Sequence, residues 1–267
     1  MLVDLGTGHG NVARRLSPNF NAVFALDPSK TMIEEAERIT NEHDAINNIV
    51  FEESSAEKLE IIENGTADAV VSGEAAHWFD MDKFWPEMGR VLRQGGTVAL
   101  WGYCDNAIVG HPKATEILSK WCYGDDKKYM GPYWEQPGRN ILRDLYRSIK
   151  PPTDLFEDIV RREFVPSRDG KENMGREAKD EQPMIEMEMT LEDFGNYIRT
   201  FSAYHNWAED HKDEKPKTEG GSGDVVDHMF TEMLTSGGEH FESLSTNWDE
   251  SKVEVQWGTV ILMARRK

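Results

Sequence analysis

The sequence is poor in cysteine and has no long apolar run. Its two cysteines among 267 residues, Cys104 and Cys122, are too few for the disulfide framework of a small secreted protein, which indicates a reducing, intracellular environment. The longest apolar runs, such as residues 259–264, have the length of a strand, whereas a membrane-spanning helix needs roughly 18 apolar residues or more. The chain also does not open with the basic and apolar stretch of a secretory signal. We therefore expect a cytoplasmic protein that does not enter a membrane.

Basic residues are scarce as well. The chain has 30 Lys and Arg against 49 Asp and Glu, which gives a net charge of −19. Because this charge repels phosphate backbones, a nucleic-acid partner is not expected. The histidines show no metal-ligand spacing, and we expect no metal site. A small-molecule substrate remains, bound by a monomer or a homodimer.

The first hundred residues alternate strand-like and helix-like segments, which is the pattern of a parallel sheet covered by helices. We predict strands at residues 1–5, 21–26, 49–52, 67–72 and 97–102, with helices at 11–16, 30–41 and 82–92 and a turn at 94–96. Beyond Tyr103 the alternation stops. There we predict helices at 111–122, 140–149, 191–207 and 225–234, a sixth strand at 159–166, a closing strand at 253–264, and mobile polar segments at 168–182 and 209–223.

The strongest sign of a ligand site is the Gly-rich turn, Asp4-Leu5-Gly6-Thr7-Gly8-His9-Gly10, between the first strand and the first helix. Glycines let the backbone turn sharply and approach a ligand closely. Asp27 ends the second strand 17 residues after Gly10, where a carboxylate can accept both hydroxyls of a ribose. Together these features predict a nucleoside site. The alternatives are an ordinary strand-to-helix turn and, for Asp27, an N-cap of the following helix.

The spacing of the glycines bears on which nucleoside is bound. NAD sites use Gly-x-Gly-x-x-Gly, which places a pyrophosphate on a helix N-terminus, whereas this turn reads Gly-x-Gly-x-Gly. Asp4, two residues before the first glycine, suits a cationic ligand better than a pyrophosphate. S-adenosylmethionine carries an ammonium and a sulfonium and no phosphate. The turn therefore favours S-adenosylmethionine as the cofactor, with an NAD-dependent oxidoreductase as the distant alternative.

These residues resemble the class I S-adenosylmethionine-dependent methyltransferases along nearly the whole chain. The resemblance implies a Rossmann-like α/β fold: a mostly parallel seven-stranded sheet with an antiparallel final strand, helices on both faces and a helical insertion after strand 5. It implies one domain over residues 1–267, with a cofactor half at 1–103, a substrate region at 104–252 and the closing strand at 253–267. The cofactor-binding residues it implies are Asp4, Gly6, Thr7, Gly8, Gly10, Asp27, Ser55, Ala56, Glu57 and Gly73.

A narrower similarity rests on Ala-x-His-Trp-Phe at residues 75–79, Trp-Gly-Tyr at 101–103, the stretch 197–204 and Trp-Gly-Thr at 257–259. These are similar to the fungal trans-aconitate methyltransferase-like group, whose members methylate a carboxylate of a small organic acid. The resemblance implies that His77 and Trp78 face the transferred methyl group and that Tyr103 lies near the substrate.

The family also has helices before the first strand that fold over the cofactor. This sequence begins at the first strand, so the lid helices are expected to be missing. A lid excludes water and positions the reactants. A truncated or non-catalytic binding protein with the methyltransferase fold is therefore the alternative to an active enzyme.

Methyl transfer from a sulfonium needs mainly proximity and orientation, and a carboxylate acceptor is already ionised at neutral pH. His77 is then expected to wall the site or orient the acceptor, or to act as a base if the acceptor is less acidic.

An acid substrate needs a cation. We expect Arg199, whose guanidinium can grip a carboxylate, although an ion pair with Glu192 or Asp193 is an equal alternative. Arg139 and His205 are further candidates for this contact. The aromatic residues of the insertion are expected to line an apolar pocket or to belong to the core: Trp121, Tyr129, Tyr133 and Trp134.

Overall fold

The structure is a computed structural model that describes residues 1–42, 46–166, 182–242, 244 and 251–267. The chain divides into two compact units. The first comprises Met1–Tyr103, Asp144–Arg162 and Val260–Lys267, and the second comprises Cys104–Arg143 and Glu163–Thr259. The expectation of a single domain stays a prediction. Within the described ranges, no helix is long and apolar enough to span a membrane.

Strands and helices follow one another closely along the chain. The strands are β1 (Leu2–Leu5), β2 (Val23–Asp27), β3 (Ile49–Glu53), β4 (Ala67–Gly73), β5 (Leu92–Ile108), β6 (Phe156–Phe164), β7 (Glu186–Thr190) and β8 (Lys252–Arg266). The α-helices are α1 (Asn11–Leu16), α2 (Lys30–Asn41), α3 (Met81–Val91), α4 (Pro112–Tyr123), α5 (Gly138–Arg143), α6 (Leu191–Arg199), α7 (Ser202–Asp210), α8 (Val225–Ser236) and α9 (Glu239–Glu242).

The sheet has the order β3-β2-β1-β4-β5-β8-β6, and β7 pairs with β8. The pairs β1–β2, β1–β4, β2–β3 and β4–β5 are parallel. The closing strand β8 runs antiparallel to β5, since Arg266 donates to the carbonyl of Leu92 at one end and Val109 N–H donates to Glu254 at the other. The predicted α/β Rossmann-like fold is therefore confirmed, with an antiparallel final strand and helices around the sheet.

An eighth strand, β7, was not predicted. It pairs antiparallel with β8 from Glu186 opposite Gln256 to Thr190 opposite Lys252. Its sequence Glu-Met-Glu-Met-Thr alternates polar and apolar residues, which is the period of a strand, but the segment is short and largely exposed and was not recognised. The sheet has eight strands rather than seven because β8 is long enough to pair with this additional short strand.

Packing in the first unit explains why the sequence of β1 is a short, mostly apolar run. All four of its residues are buried, because β1 lies between β2 and β4. One face of the sheet packs on α1, where Ala13 joins Leu2, Val23, Ala25 and Val71 in one apolar cluster. The helix α2 packs through Ile33, Ala36 and Thr40 and is capped by Ser29, whose hydroxyl accepts from Met32 N–H at 3.4 Å.

The second unit has its own core of helices and strand residues. Phe194 of α6, Trp207 of α7 and Phe230 of α8 are fully buried there, together with Val255 and Trp257 of β8. The predicted helix at 191–207 is two helices, since the chain leaves helical geometry at Phe201 (ψ 139°). This break separates the two buried faces of α6 and α7.

Three further boundaries differ from the predictions. The turn predicted at 94–96 lies inside β5 as an irregularity of register, where Leu92 pairs with Ala67 and Thr97 with Ala69. The helix predicted at 140–149 ends at Arg143 and is followed by Leu145 and Tyr146 in the left-handed region. The segment predicted as mobile at 168–182 lies, except for its last residue, outside the described residues.

Candidate active site

The candidate site lies at the carboxyl ends of β1, β2 and β4 in the first unit. The strand order reverses at β1, because β2 and β3 lie on one side of it and β4 and β5 on the other. In open α/β sheets this switch point leaves a crevice that binds ligands. The Gly-rich turn follows β1, Asp27 ends β2 and Gly73 ends β4, so three of the predicted elements meet at this edge.

The three glycines of the turn have different surroundings. All adopt positive φ angles of 65°, 53° and 78° at Gly6, Gly8 and Gly10. A Cβ on Gly6 would lie 2.3 Å from the Cβ of Ala75, and one on Gly10 would lie 2.9 Å from the ring of Phe51. A Cβ on Gly8 would meet no heavy atom within 4 Å. Gly6 and Gly10 are therefore needed for packing, while Gly8 borders open space.

Asp4 is buried beneath this turn. Its carboxylate accepts a hydrogen bond from the Thr7 hydroxyl at 2.6 Å and another from the backbone N–H of Ala13. Burial raises the pKa of Asp4 to about 6, and the nearby charge of Asp27 adds to the rise. The site therefore holds a carboxylate that a cationic ligand would stabilise in its ionised form.

Asp27 organises the turn from the end of β2. Its Oδ2 accepts from Gly8 N–H and its Oδ1 accepts from Ser29 N–H, both at 2.9 Å. The N-cap of α2 is Ser29, so the capping alternative for Asp27 is not what the structure shows. Each carboxylate oxygen has a second lone pair, which leaves capacity to accept from a ligand hydroxyl.

The segment after β3 borders the same edge. Ser54 N–H donates to the carbonyl of Asp27 at 3.0 Å. Ser55 is exposed and Ala56 is buried, while Glu57 accepts from Asp80 N–H at 2.9 Å. These three residues, predicted to bind the cofactor, thus follow a strand that pairs with β2, and Glu57 is also held to the start of α3.

The segment after β4 packs against the Gly-rich turn through Ala75. Gly73 lies under Trp101, since a Cβ there would be 2.8 Å from the indole ring. Glu74 has a φ of 60°, and its carboxylate accepts from Tyr103 N–H of β5. The predicted substrate residue Tyr103 is therefore tied by its backbone to this segment. This contact of Glu74 was not predicted, although a polar residue directly after a buried strand is a signal for it.

His77 is buried, whereas Trp78 is half exposed beside it with ring centroids 4.8 Å apart. The Nδ1 of His77 lies 3.2 Å from the hydroxyl of the fully buried Tyr146. Arg161 donates to the backbone carbonyls of Leu145 and Tyr146, whose φ angles are 52° and 56°. Tyr146 is a site residue that sequence reasoning missed, because nothing in the sequence relates it to a histidine 69 positions away.

In the second unit, Arg199 forms an ion pair within the protein. Its Nε donates to Asp224 at 2.7 Å and its Nη2 lies 3.2 Å from Asp227. Tyr204 donates to the same Asp224 at 2.9 Å. The predicted alternative, an ion pair, is thus what the structure shows, but with partners 25 or more residues along the chain rather than Glu192 or Asp193. His205 is exposed on α7.

Another arginine candidate, Arg139, lies beside Arg143 in the second unit. Its guanidinium stacks 4.0 Å from the ring centroid of Trp134 and 5.2 Å from that of Tyr123. Trp121, Tyr133 and Trp134 pack against the core of this unit, and Tyr129 contacts Trp121. Among the residues that the structure describes, no group of three or more His, Cys, Asp and Glu side chains could hold a metal ion.

Comparison with known proteins identifies the family. The family model described as "Methyltransferase domain" matches residues 3–100. The "Probable S-adenosylmethionine-dependent methyltransferase CRG1" of Saccharomyces cerevisiae is 30% identical over 270 residues, covering 100% of this chain and 86% of its own length. Methyltransferase ptaI of Pestalotiopsis fici is 24% identical, over 99% of this chain and 82% of that relative.

A solved structure has the same fold. The "Putative Type II Methyltransferase" from Anaeromyxobacter dehalogenans aligns with a TM-score of 0.65 and 20% identity, covering 99% of this chain and 88% of that chain. The yeast relative matches this chain along its whole length at the stated identity, which is sufficient to assign the family. The chain therefore belongs to the S-adenosylmethionine-dependent methyltransferases, enzymes whose cofactor is S-adenosyl-L-methionine.

Proposed function

We propose that this enzyme methylates a carboxylate of a small organic acid, as members of the trans-aconitate methyltransferase-like group do. The observation that carries the proposal is the position of the Ala-x-His-Trp-Phe segment. Ala75 packs so closely on Gly6 that a Cβ on Gly6 would not fit between them. The ring of Phe79 would lie 4.0 Å from that Cβ. The segment that distinguishes the small-acid group is therefore part of the wall of the cofactor edge.

The residues at the carboxyl edge fit S-adenosylmethionine. The space beside Gly8 is open and would be filled by any side chain at that position, so its glycine leaves room for a ligand. Asp4 supplies a buried carboxylate for a cationic ligand. Asp27 retains lone pairs for ribose hydroxyls, and Ser55, Ala56 and Glu57 follow the next strand as a border for the base. When bound, the cofactor supplies a methyl group activated by the sulfonium.

The chain's own residues then position the acceptor. A carboxylate is ionised at neutral pH, so the acceptor oxygen needs orientation rather than deprotonation. His77 is held at Nδ1 by the Tyr146 hydroxyl, which gives the imidazole one fixed orientation, and Trp78 offers a half-exposed aromatic face beside it. We therefore assign His77 and Trp78 as orienting residues and Tyr103 as a substrate contact.

Two other predicted substrate contacts have less support. Arg199 would have to exchange Asp224 and Asp227 for the carboxylate of the acid. His205 is an exposed residue of α7, and its role stays a proposal.

The proposal is tested by supplying the purified enzyme with S-adenosylmethionine and a panel of small acids that includes trans-aconitate. The matched control for each acid is its fully esterified form, which has the same skeleton but no carboxylate. We expect release of S-adenosylhomocysteine with the acid alone and a product that is heavier by one methylene and cleaved by mild base, as a methyl ester is. Transfer only to hydroxyl or amine acceptors, giving products stable to base, would refute it.

Cofactor binding is measured first and separately, by calorimetric titration with S-adenosylhomocysteine. Micromolar binding together with no turnover on any acid would show that the acceptor class is wrong while the cofactor site is right.

A further inference from the structure

Five side chains of the second unit form what we call the two-arginine cluster: Asp105, Tyr123, Trp134, Arg139 and Arg143. Arg143 grips Asp105 with two nitrogens, Nε at 2.9 Å and Nη2 at 2.7 Å, and stacks 3.8 Å from the ring centroid of Tyr123. Arg139 donates to the Tyr123 hydroxyl and stays 3.9 Å from the nearer oxygen of Asp105. Of the two arginines, Arg143 thus makes the closer contacts with Asp105.

The cluster carries an excess of positive charge. Both guanidiniums are protonated at any physiological pH. Burial raises the pKa of Asp105, but hydrogen bonds and charge from Arg143, together with the charge of Arg139, outweigh it and hold that pKa below its usual value. Burial raises the pKa of the Tyr123 hydroxyl and of the neighbouring Cys122 thiol, the latter to about 12, so neither is an anion. Two cations therefore face one anion in largely buried surroundings.

Arg139 also has an unused donor. Its Nε is buried and has no hydrogen-bond partner among the residues that the structure describes. The side chain is 14% exposed and that of Arg143 is 31% exposed, so both arginines keep part of their surface in solvent. Buried donors and charges are normally paired, because leaving them unpaired is costly. An additional anion would satisfy both the charge and the donor.

Arg199, a partly buried arginine of the same unit, has the opposite balance. It faces two carboxylates, Asp224 and Asp227, and a tyrosine hydroxyl also donates to Asp224. Burial of an arginine therefore does not by itself produce the excess of positive charge found at Arg139.

We propose that the two-arginine cluster is the binding site for a carboxylate of an organic acid, with Arg139 as the cation. Trp134 lies 4.0 Å from the guanidinium of Arg139, and the hydroxyl of Tyr123 accepts a hydrogen bond from it, so the donors of Arg139 are held in the planar arrangement that a carboxylate accepts. The identity of this acid as the methyl acceptor rests on the proposed function, whereas binding of the carboxylate does not.

The test is calorimetric titration of the enzyme, saturated with S-adenosylhomocysteine, with trans-aconitate as the probe and its trimethyl ester as the control ligand. Arg139→Lys keeps the charge but loses the planar fork, and we expect it to weaken binding of the acid about tenfold or more. Arg199→Lys, which alters the competing cation, should change it less than about twofold. Arg38→Lys, on an exposed helix surface, serves as the neutral control.

A second variant tests the sign of the effect. Asp105→Asn removes the one carboxylate of the cluster, so the proposal predicts tighter binding of the acid, by several-fold, whereas a purely structural role predicts weaker binding or none. This variant decides the matter even if Arg139→Lys lowers the melting temperature. Acid binding that is unchanged or weakened in Asp105→Asn, or that is lost in Arg199→Lys alone, would overturn the proposal.

The two proposals fail in different ways. If the acid binds in an Arg139-dependent manner but is not methylated, the acceptor class is wrong and the site stands. If the acid is methylated with an unchanged KM in Arg139→Lys, the site is wrong and the acceptor class stands.

Discussion

The Gly-rich turn of the first unit and the two-arginine cluster of the second unit are built from different parts of the chain. The turn is made of backbone: its conformation depends on left-handed φ angles, and its donors, such as Gly8 N–H, are main-chain groups bonded to Asp27. The cluster is made of side chains, with aromatic rings holding guanidiniums in place. Their charges are also opposite, since Asp4 and Asp27 lie at the turn and two arginines lie in the cluster.

The difference in charge matches the two ligands proposed. Under the two proposals, buried acids serve a cationic cofactor and an excess of arginine serves an anionic acceptor, although the whole chain carries a net charge of −19. Local electrostatics, rather than net charge, therefore decides what each region binds. A second consequence concerns mutation: the turn should be sensitive to any side chain added to its glycines, and the cluster to the exact chemistry of its arginines.

Gly8→Arg should have the largest effect. The space beside Gly8 is open, so the added side chain would occupy it and exclude the cofactor at a cost of about 3 kcal/mol, roughly a hundredfold in affinity. The measurement is the Kd for S-adenosylhomocysteine. Gly110→Arg is the matched control, since Gly110 also has a positive φ (76°) and open surroundings but follows β5 in the second unit. Equal loss of binding in both variants would mean that backbone strain, not the filled space, is responsible.

Asp27→Ala should follow, with a loss of about 1–3 kcal/mol in cofactor binding, roughly 5- to 150-fold. The variant removes the acceptor for Gly8 N–H and for Ser29 N–H as well as any ligand contact. Asp27→Asn keeps one oxygen acceptor and should lose less. An unchanged Kd for S-adenosylhomocysteine in Asp27→Ala would remove this residue from the cofactor site.

The elements around the Gly-rich turn could be predicted from the sequence because strands and helices alternate regularly there. The helix α1 was predicted at its exact bounds and β1, β3 and β4 within one residue, because each is bounded by glycine or polar turn residues a few positions away. The residues predicted to bind the cofactor follow strand ends that the same pattern locates. The features predicted correctly from the sequence are therefore those set by residues close together in the chain.

The contacts that sequence did not predict join distant parts of the chain. Asp105 and Arg143 are 38 residues apart, His77 and Tyr146 are 69 apart, and Arg199 pairs with Asp224 rather than with its neighbours on α6. Each depends on which elements pack together, and no spacing rule in one sequence encodes that. The strand β7 is an exception, because the alternation of its Glu-Met-Glu-Met-Thr sequence is a strand signal that was overlooked in a short, exposed segment.

Tyr146→Phe tests whether a side-chain contact in the first unit matters to turnover. Removing the hydroxyl 3.2 Å from His77 Nδ1 should cost about 0.5–1.5 kcal/mol of orientation, roughly a two- to tenfold lower kcat. The Kd for S-adenosylhomocysteine and the melting temperature should stay unchanged, because the ring that fills the core is retained. A loss of stability that accompanies the fall in kcat would instead assign Tyr146 a purely structural role.

The smallest effect expected is a dependence of cofactor binding on pH through Asp4. Burial raises the pKa of Asp4 from 3.8 in the unfolded chain to about 6, so without ligand the fold favours the protonated form, and this residue's contribution to stability falls as the pH rises from about 4 to about 6. A cationic ligand favours the ionised form, so its affinity changes in the opposite direction. Between pH 7.5 and 5.5 the ionised fraction of Asp4 falls about fourfold, and the affinity for S-adenosylhomocysteine, whose positive charge is its ammonium group, should fall by a similar factor.

Asp4→Asn is the control for this titration, because an amide retains an oxygen that accepts from the Thr7 hydroxyl but cannot ionise. The variant should bind more weakly at pH 7.5 and show almost no change down to pH 5.5. If the variant keeps the pH dependence of the parent enzyme, the titrating group lies elsewhere. If the parent shows none, Asp4 does not meet the positive charge of the cofactor, and the contrast in charge between the Gly-rich turn and the two-arginine cluster rests on Asp27 alone.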